Sequence, residues 1–395
     1  MRLLIVSSTI HYRSKGALYA YAGYAREIEM WAELFSDVTI AAPLRTEPPP
    51  GDCVPFRRKN IGILPQKEVG GNSWVSKLKL LASTPGLLYD LSRAMREHDA
   101  VHVRCPGNLG LLGALVAPLL SKRIVAKYAG QWNGYPREPL TYRLQRRILA
   151  SGYWRGPVTV YGNQGLRAPH VIPFFTSIMT ERQVNRAFRA AQRKQQSPPL
   201  KILFVGRLSA AKNIDILLEA LACLKKEQDE FFCSIVGEGP ERGRLENLAR
   251  SLRIAERVLF AGGLPYPEVL EHMEKSDILV LASETEGWPK AIVEAMTHGL
   301  VCVGSDCGIV PEILAGGRGV IVPVRDVDRL ATALRDLLRR PEVLSQMGRA
   351  AAEWGRCYSL DRLRQALGEL LKDKWGLPSG SLAVELRTES SGVLA

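Results

Sequence analysis

Short apolar runs alternate with amphipathic segments along most of the first half of the chain. The pattern predicts strands at Leu3–Ser8, Val38–Ala42, Ala100–Arg104, Ile124–Lys127 and Val158–Val160. Between them it predicts helices at Ala17–Phe35, Gly86–Glu97 and Gly110–Leu120, and an irregular stretch over Arg45–Asn72. Strands that alternate with helices indicate a parallel sheet that is covered on both faces.

The alternation restarts after a stretch rich in Gln, Ser and Pro at 195–199, which is typical of a linker. Strands are predicted at Lys201–Val205, Phe231–Val236, Val258–Ala261, Ile278–Ala282, Val301–Ser305 and Val320–Val322. Helices are predicted at Ile214–Lys225, Glu241–Leu252, Glu268–Glu274, Pro289–Thr297, Asp326–Arg340 and Leu344–Trp354. The chain therefore divides into two doubly wound α/β domains at 1–195 and 196–357, an amphipathic helix within 358–378 and a flexible tail at 379–395.

Composition narrows the class of protein. The 395 residues are 46% hydrophobic and 24% charged, which is ordinary for a globular protein and excludes a wholly disordered or collagen-like chain. The longest nearly unbroken apolar run, Leu109–Leu120, is shorter than the roughly 20 residues of a membrane-spanning helix, so we expect none. Seven cysteines without a Cys-x-x-Cys pattern indicate reduced thiols and a cytoplasmic protein.

Positive charge is concentrated in the first half of the chain. Residues 1–195 carry 28 Lys and Arg against 12 Asp and Glu, whereas the remainder carries 25 against 28. Two segments concentrate basic charge: a stripe at Arg182, Arg186, Arg189 and Arg193, and Arg137–Arg155, where arginines alternate with Leu, Ile, Tyr and Trp. Each segment either lies on an anionic membrane surface or is a solvated helix face. No nucleic-acid-binding motif is present, so we expect no nucleic acid partner.

Several predicted strands of the second half end in loops that suit a phosphorylated ligand. Gly206 allows a tight exit from the first strand, and Arg207 and Lys212 bracket the loop that follows, where two cations suit a diphosphate. The next exit, Val236-Gly-Glu-Gly-Pro240, resembles a dinucleotide fingerprint, but Arg242 occupies the place of its third glycine, so it predicts only a tight turn. The third exit ends at Gly262, where a base can approach the backbone.

The fourth exit, Ser283 to Ala295, is the most informative. A loop ends at Pro289, a favourable first residue for a helix, and the helix N-terminus presents N–H groups and partial positive charge to an anion. Glu286 lies in the loop and Glu294 about two turns beyond. Carboxylates only accept hydrogen bonds, so the pair suits a ligand that offers hydroxyl groups, such as a sugar and a ribose.

The spacing of Glu286 and Glu294 within Glu-Gly-x-Pro…Glu-Ala resembles the signature of the retaining glycosyltransferases of family 4. The Val-Gly-Arg-Leu loop with Lys212, Val-Gly-Glu-Gly-Pro, and Ser305 followed by Pro311-Glu312-Ile313 fit the same family over residues 200–355. The resemblance implies the GT-B fold, in which two Rossmann-like domains face each other across a cleft. It also implies that the C-terminal helix, Leu360–Lys372, crosses back to the first domain.

The resemblance further implies roles for individual residues. Arg207, Lys212 and Glu286 would be catalytic. Donor-binding residues would be Gly16, Gly206, Arg207, Lys212, Gly262, Glu286, Gly287, Trp288, Pro289, Lys290, Ala291 and Glu294. No metal and no cofactor would be needed, because the nucleotide sugar is a co-substrate and its diphosphate meets cations and a helix terminus. Three positions depart from the pattern: the first loop has only Gly16, no His follows Ile124–Lys127, and Ile309 replaces a second glycine.

Acceptor residues are the weakest part of the resemblance, and His11, Tyr128 and Gln131 are the candidates. We expect His102 to be a strand residue whose hydrogen bonds are satisfied, whereas His298 is either a polar lining residue or a packed helix end. Asp326-Val-Asp328 resembles a metal-binding Asp-x-Asp but begins a helix, where Asp caps N–H groups.

The resemblance therefore implies a retaining glycosyltransferase that moves a sugar from a nucleotide-diphosphate sugar to an acceptor hydroxyl, and we expect a glycan or lipid-linked acceptor in cell-surface polysaccharide biosynthesis. The basic first half favours peripheral attachment to the inner face of the plasma membrane. A sugar-nucleotide epimerase or phosphorylase of the same fold, and a non-catalytic binding protein, remain alternatives.

Overall fold

The computed structural model describes residues 1–69, 74–136, 138–163, 165–166, 168–195 and 199–376. The predicted tail at 379–395 lies outside these residues. The chain forms two compact units. Unit 1 contains Met1–Ala129, Pro136–Phe174 and the segment that begins at Asp361, and unit 2 contains Gly130–Tyr135 and Phe175–Leu360.

Unit 1 is built on a largely parallel sheet. Its strands are β1 Arg2–Val6, β2 His11–Ser14, β3 Ala17–Tyr21, β4 Asp37–Arg45, β5 Cys53–Pro55, β6 Ile61–Gln66, β7 Ala100–Cys105, β8 Ile124–Tyr128, β9 Val158–Tyr161 and β10 Val171–Phe174. The parallel strands lie in the order β10-β9-β8-β7-β1-β4-β6. Strands β2, β3 and β5 form an antiparallel extension beside the end of β4. The helices are α1 Ala22–Leu34, α2 Trp74–Glu97, α3 Asn108–Leu120 and α4 Leu140–Ala150.

Two predictions for unit 1 were wrong. The segment predicted as one helix, Ala17–Phe35, begins as strand β3, and the helix starts only at Ala22. Lys15 and Gly16 both adopt positive φ, 48° and 78°, which makes the tight turn that folds β3 back on β2. The stretch predicted as irregular, Arg45–Asn72, contains β5 and β6, and β6 extends the parallel sheet at its edge, where Pro65 is tolerated.

Unit 2 contains a second sheet, in which every pairing is parallel. Its strands are β11 Leu200–Val205, β12 Phe231–Val236, β13 Val258–Gly262, β14 Ile278–Leu281, β15 Val301–Ser305 and β16 Gly319–Val322. They lie in the order β13-β12-β11-β14-β15-β16, so the first strand of the unit is central. The helices are α5 Glu181–Gln192, α6 Ile214–Lys226, α7 Arg242–Ser251, α8 Tyr266–Lys275, α9 Lys290–Thr297, α10 Val310–Leu314, α11 Val327–Arg339 and α12 Pro341–Gly355. This strand order defines a Rossmann-like unit.

The division between the units differs from the boundary predicted at residue 195. Helix α5 belongs to unit 2, because its buried side, formed by Val184, Ala187 and Ala191, packs against α9 and α12. The last helix, α13 Leu360–Trp375, joins unit 1 from Asp361 onward, as the resemblance implies. Arg364 of α13 donates to Glu33 of α1 at 2.6 Å.

The structure also bears on the expectations about membrane-spanning helices, cysteines and His102. Within the described residues, no helix is both long enough and apolar enough to cross a membrane. All seven cysteines are free thiols. His102 is fully buried against Trp31, with ring centroids 4.3 Å apart, but neither ring nitrogen has a hydrogen-bond partner among the described residues, so the expectation of a satisfied strand residue was wrong.

A buried ion cluster ties α1 to the carboxyl ends of β7 and β8. Glu27 accepts from Arg104 at 2.7 Å and from Lys127 at 2.8 Å. Burial by itself raises the pKa of Glu27, but the two cations outweigh it and hold the pKa well below its usual range. Two cations share one carboxylate, and each also makes a cation–π contact with a tyrosine ring. Arg104 lies 4.9 Å from the ring centre of Tyr24, and Lys127 lies 5.4 Å from that of Tyr161.

We expect Glu27→Gln to lower the free energy of unfolding of unit 1 by about 3–5 kcal/mol, because two buried cations lose their counter-charge. Asp90→Asn is the control, since Asp90 is exposed on α2. Urea denaturation followed by tryptophan fluorescence measures both. Equal stability of the two variants would contradict a structural role for the cluster.

Candidate functional site

The carboxyl edge of the unit 2 sheet is held together by backbone contacts between successive loops. Gly206 donates to the carbonyl of Val236 at 3.0 Å, Leu208 to that of Glu238 at 2.9 Å, and Gly237 to that of Gly262 at 2.8 Å. A Cβ at Gly237 would overlap the carbonyl oxygen of Gly206. The glycines of Val-Gly-Glu-Gly-Pro therefore allow the loops after β11 and β12 to pack closely, which agrees with a tight turn.

Arg242 explains the broken fingerprint in the same region. Its guanidinium is bound by Glu238 and donates to Glu246 at 2.8 Å. It also lies against Gly262, whose φ is 78° and whose added Cβ would stand 3.2 Å from the Arg242 Nη1 atom. The position of the third glycine is thus occupied by an arginine that packs against the C-terminal end of β13.

The loops after β11 and β14 meet where the strand order of the sheet reverses. Asn213, in a left-handed conformation with φ 47° and ψ 46°, donates from Nδ2 to the carbonyl of Ala282 at 2.9 Å. Glu284 donates its backbone N–H to the carbonyl of Ala211 at 2.9 Å. Ligands bind in open α/β sheets at this reversal point, outside the carboxyl ends of the strands. Two of the predicted site segments are therefore brought together there.

An ion pair joins the two loops at the same place. The ammonium group of Lys212 binds the carboxylate of Glu286, and the side chains are 25% and 10% exposed. These two residues are 74 positions apart in the chain, so the contact depends on the fold. A carboxylate and a cation thus lie together, partly buried, at the place where the strand order reverses. We call this place the switch point.

The backbone around Glu286 leaves no space for a side chain at Gly308. Gly308 has φ 54°, and a Cβ there would overlap the Glu286 carbonyl oxygen. Cys307, the residue before it, has a pKa raised to about 12, chiefly by burial and then by the negative charge of Glu286. The loop after β15 therefore packs directly against the backbone of Glu286.

Helix α9 begins directly after this loop. Pro289 is its N-cap residue and Lys290 its first helical residue, one position later than predicted. Glu294 is buried on α9, and its carbonyl accepts from Nδ1 of His298 at 2.8 Å. Burial lowers the pKa of His298, so this ring is a packed helix end. The N-terminus of α9 and both carboxylates consequently follow β14 within one short segment.

Two other predicted donor residues have clear surroundings. Arg207 is exposed on the loop after β11, whose last residues form a short turn of 3₁₀ helix at Ala210–Lys212. The Trp288 ring is 8% exposed and packs 5.1 Å from the Tyr358 ring and 6.2 Å from that of Phe175, measured between centroids. The side chain of Trp288 thus anchors its loop in an aromatic cluster.

Candidates from the first half fall in different surroundings. Gly16 lies at the exposed turn between β2 and β3. His11 is fully buried, with its ring stacked 6.0 Å from Phe56, and burial lowers its pKa to about 4. The expectation that His11 lines an acceptor surface was wrong, because the ring is part of the core. Tyr128 is also buried, and its hydroxyl accepts from Arg146 at 3.3 Å.

Gln131 belongs to unit 2, although β8 just before it belongs to unit 1. Thr285 donates its hydroxyl to Oε1 of Gln131 at 3.0 Å, next to Glu286. Sequence reasoning missed Asn213, Thr285 and Gly308 as parts of the site. Only Gly308 carried a signal, since it lies in the Ser305…Pro311 segment that the family resemblance includes.

Asp326 supports the capping interpretation of its motif. Its Oδ1 accepts from the backbone N–H of Arg329 at 2.9 Å, and it caps α11. Among the residues that the structure describes, no group of three or more His, Cys, Asp and Glu side chains is placed to hold a metal ion.

The structure has the GT-B fold, with two units built on largely parallel sheets, and comparison with known proteins agrees. Residues 185–354 match the family described as "Glycosyl transferases group 1". The match begins inside α5 and covers nearly all of unit 2.

Relatives and solved structures extend the similarity beyond unit 2. A GDP-mannose-dependent α-(1-6)-phosphatidylinositol monomannoside mannosyltransferase of Mycolicibacterium smegmatis is 28% identical over 314 residues, 75% of this chain and 82% of that protein. A glycogen synthase of Mycobacterium tuberculosis is 32% identical over 164 residues, 41% of this chain and 40% of that protein. Sucrose-phosphate synthase from Thermosynechococcus elongatus has a TM-score of 0.69 at 18% identity, covering 95% of this chain and 99% of that one. The Anabaena protein HepE in complex with UDP has a TM-score of 0.67 at 16% identity, covering 94% and 100%.

We expect Gly308→Ala to reduce kcat/KM about a hundredfold, because the added Cβ displaces the Glu286 backbone from its working position. Gly317→Ala is the matched control: Gly317 also has positive φ, 73°, but its Cβ would meet nothing within 4 Å. Steady-state kinetics on both variants separates displacement of Glu286 from backbone strain. Equal losses in the two variants would show that strain alone explains the effect.

Proposed function

We propose that the protein transfers a sugar, with retention of anomeric configuration and without a metal ion, from a nucleotide-diphosphate sugar to an acceptor hydroxyl. The observation that carries this is the Lys212–Glu286 pair, which joins the loops after β11 and β14 at the switch point. The pair lies just before the N-terminus of α9, where a diphosphate gains further stabilisation.

The proposed donor orientation follows from the chemistry of the groups around this point. Arg207 and Lys212 bind the diphosphate, assisted by the first turn of α9. Glu294 accepts from the ribose hydroxyls, and Glu286 with the backbone from Gly287 to Ala291 holds the sugar. Gly206 and Gly262 let the nucleotide approach the backbone. Lys212 then exchanges part of its contact with Glu286 for phosphate oxygens.

The transfer step is a same-face substitution at the anomeric carbon. The bond from this carbon to the donor phosphate oxygen breaks, while a bond to the acceptor oxygen forms on the same face. The departing phosphate takes the acceptor proton, so no side-chain nucleophile is needed. Arg207, Lys212 and the helix terminus stabilise the charge that develops on the leaving group, a contribution of roughly 3 kcal/mol per donor.

We propose GDP-mannose as the first donor to test and a lipid-linked glycan or glycolipid as the acceptor. The support is the mannosyltransferase relative, which spans 75% of this chain and is named for GDP-mannose and a phosphatidylinositol mannoside. An acceptor of this kind places the enzyme in the cytoplasm at the inner face of an anionic membrane. It also suits a role in cell-surface polysaccharide biosynthesis.

A panel of GDP- and UDP-sugars, measured by thermal shift and followed by product analysis with lipid acceptors, tests this proposal. We expect a shift with the true donor, the same shift after EDTA, and an α-linked product from an α-linked donor by NMR. Conversion of the donor without any acceptor would instead identify an epimerase. A shift with nucleoside diphosphates but no turnover would identify a binding protein.

A double-mutant cycle examines the central pair. We expect Lys212→Gln and Glu286→Gln each to lower kcat about 10²–10³-fold, because each removes a group that acts in the transition state. The double variant should lose less than the product of the two, since the side chains contact each other.

Lys225→Gln and Glu256→Gln provide a matched control cycle, because Lys225 and Glu256 form an ion pair on the surface of the same unit. This control should leave kcat unchanged. Normal turnover by Glu286→Gln would contradict the sugar-holding role of Glu286.

A further inference from the structure

The outer faces of α2, α3 and α4 form one surface of unit 1, since α3 packs against both neighbours. We call it the three-helix surface and define it by the exposed side chains of residues 78–155. Its apolar members are large and strongly exposed, whereas most large hydrophobic side chains are buried in a folded domain. On α2 they are Leu78, Leu81 and Tyr89; on α3, Leu115 and Leu119; on or after α4, Leu140, Leu144 and Tyr153.

Helix α2 shows that this exposure is patterned. Its inner face buries Leu87, Leu91 and Met95. Leu78, Leu81 and Tyr89 recur on the opposite face at helical spacing, and they are 66%, 72% and 68% exposed. A helix that needs only to cover the sheet requires one apolar face. The second apolar face therefore indicates a partner outside the domain.

The middle and third helices continue the surface. Leu115 and Leu119 on α3, and Leu140 and Leu144 on α4, are pairs at i and i+4. Leu119 and Leu140 are 72% and 76% exposed. Tyr153 links the two helices because its hydroxyl donates to the carbonyl of Leu115. Large exposed apolar side chains on neighbouring helices are typical of an interaction site.

Positive charge accompanies these leucines. Residues 74–155 carry 13 Lys and Arg against four Asp and Glu, which is most of the net charge of the chain. Arg143 and Arg147 are exposed beside Leu140 and Leu144, and Lys122 and Arg123 are exposed at the end of α3. Within the described part of the chain, none of these four cations forms an ion pair with a carboxylate.

We propose that the three-helix surface docks on a bilayer that contains anionic lipids, with the leucines inserted at the headgroup boundary and the cations against lipid phosphates. Exposed leucine with unpaired arginine and lysine is the chemistry of interfacial membrane binding. Nucleic acid is a poorer match, because its phosphate backbone offers no apolar layer for the leucines. The inference deepens the proposed function, since it names the surface through which the enzyme reaches a lipid-linked acceptor.

Co-sedimentation of the full chain with vesicles tests the docking. The vesicles contain phosphatidylcholine alone or phosphatidylcholine mixed with phosphatidylglycerol, at low and high salt. We expect binding to the mixed vesicles only, weakened by salt. Arg143→Glu combined with Arg147→Glu should weaken it more than about tenfold. Leu119→Ser combined with Leu140→Ser should weaken it about tenfold.

Matched controls come from unit 2. Arg189→Glu with Arg193→Glu makes the same charge change at the same spacing on and beside α5, and Phe232→Ser with Leu259→Ser removes two exposed apolar side chains. Both controls should bind vesicles as the unaltered chain does. Equal binding to neutral vesicles, or loss in the controls only, would overturn the proposal. So would light scattering that shows a dimer dissociated by the leucine variant.

Thermal shift with GDP and UDP measures nucleotide binding separately from vesicle binding, so failure of the docking proposal can be told from failure of the proposed function. The docking variants should retain the shift of the unaltered chain, because their substitutions lie in unit 1, outside the donor loops. Vesicle binding without a nucleotide shift would refute the donor site alone. A nucleotide shift without vesicle binding would refute the docking surface alone.

Discussion

The central position of β11 determines where the chemistry of unit 2 can take place. Because the first strand of the unit is not at an edge, the chain runs outward from it in one direction through β12 and β13 and then returns to build β14, β15 and β16 on the other side. Ligands of open α/β sheets bind at such a reversal of strand order, outside the carboxyl ends of the strands. Lys212 and Glu286 meet there, and the contact between Asn213 and Ala282 holds the loops after β11 and β14 together.

Close backbone packing stabilises the loops around this point. Gly237 and Gly308 are positions where any side chain would collide with a neighbouring carbonyl, at Gly206 and Glu286 respectively. These contacts place the loops of β12 and β15 against those of β11 and β14. The charged side chains therefore stand on a backbone that cannot shift without breaking several contacts at once. Preorganisation of this kind is what electrostatic stabilisation of a leaving group requires.

The signals on which the predicted donor side rests are local. The cations, carboxylates and glycines selected in the second half lie in the segments that follow predicted strands, and parallel strands bring such segments to one edge. The contact of Gln131 with Thr285 spans 154 residues and follows from a short segment of the first half folding with unit 2, which no local pattern indicates. Strand β3 was missed because Ala, Leu and Tyr suit a helix as well as a strand, and pairing with β2 and β5 decided between them.

Unit 1 contains both buried and exposed cations, and they differ in whether water solvates their charge. Arg104 and Lys127 are buried, so they must share the carboxylate of Glu27 and stack on tyrosine rings to be tolerated at all. Arg143, Arg147, Lys122 and Arg123 remain in water, where an unpaired cation costs little. A buried cation without a partner would destabilise the domain, whereas an exposed one beside leucine remains available to an external anion. The excess positive charge of the first half is therefore a surface property, and its concentration around exposed leucines ties it to recognition.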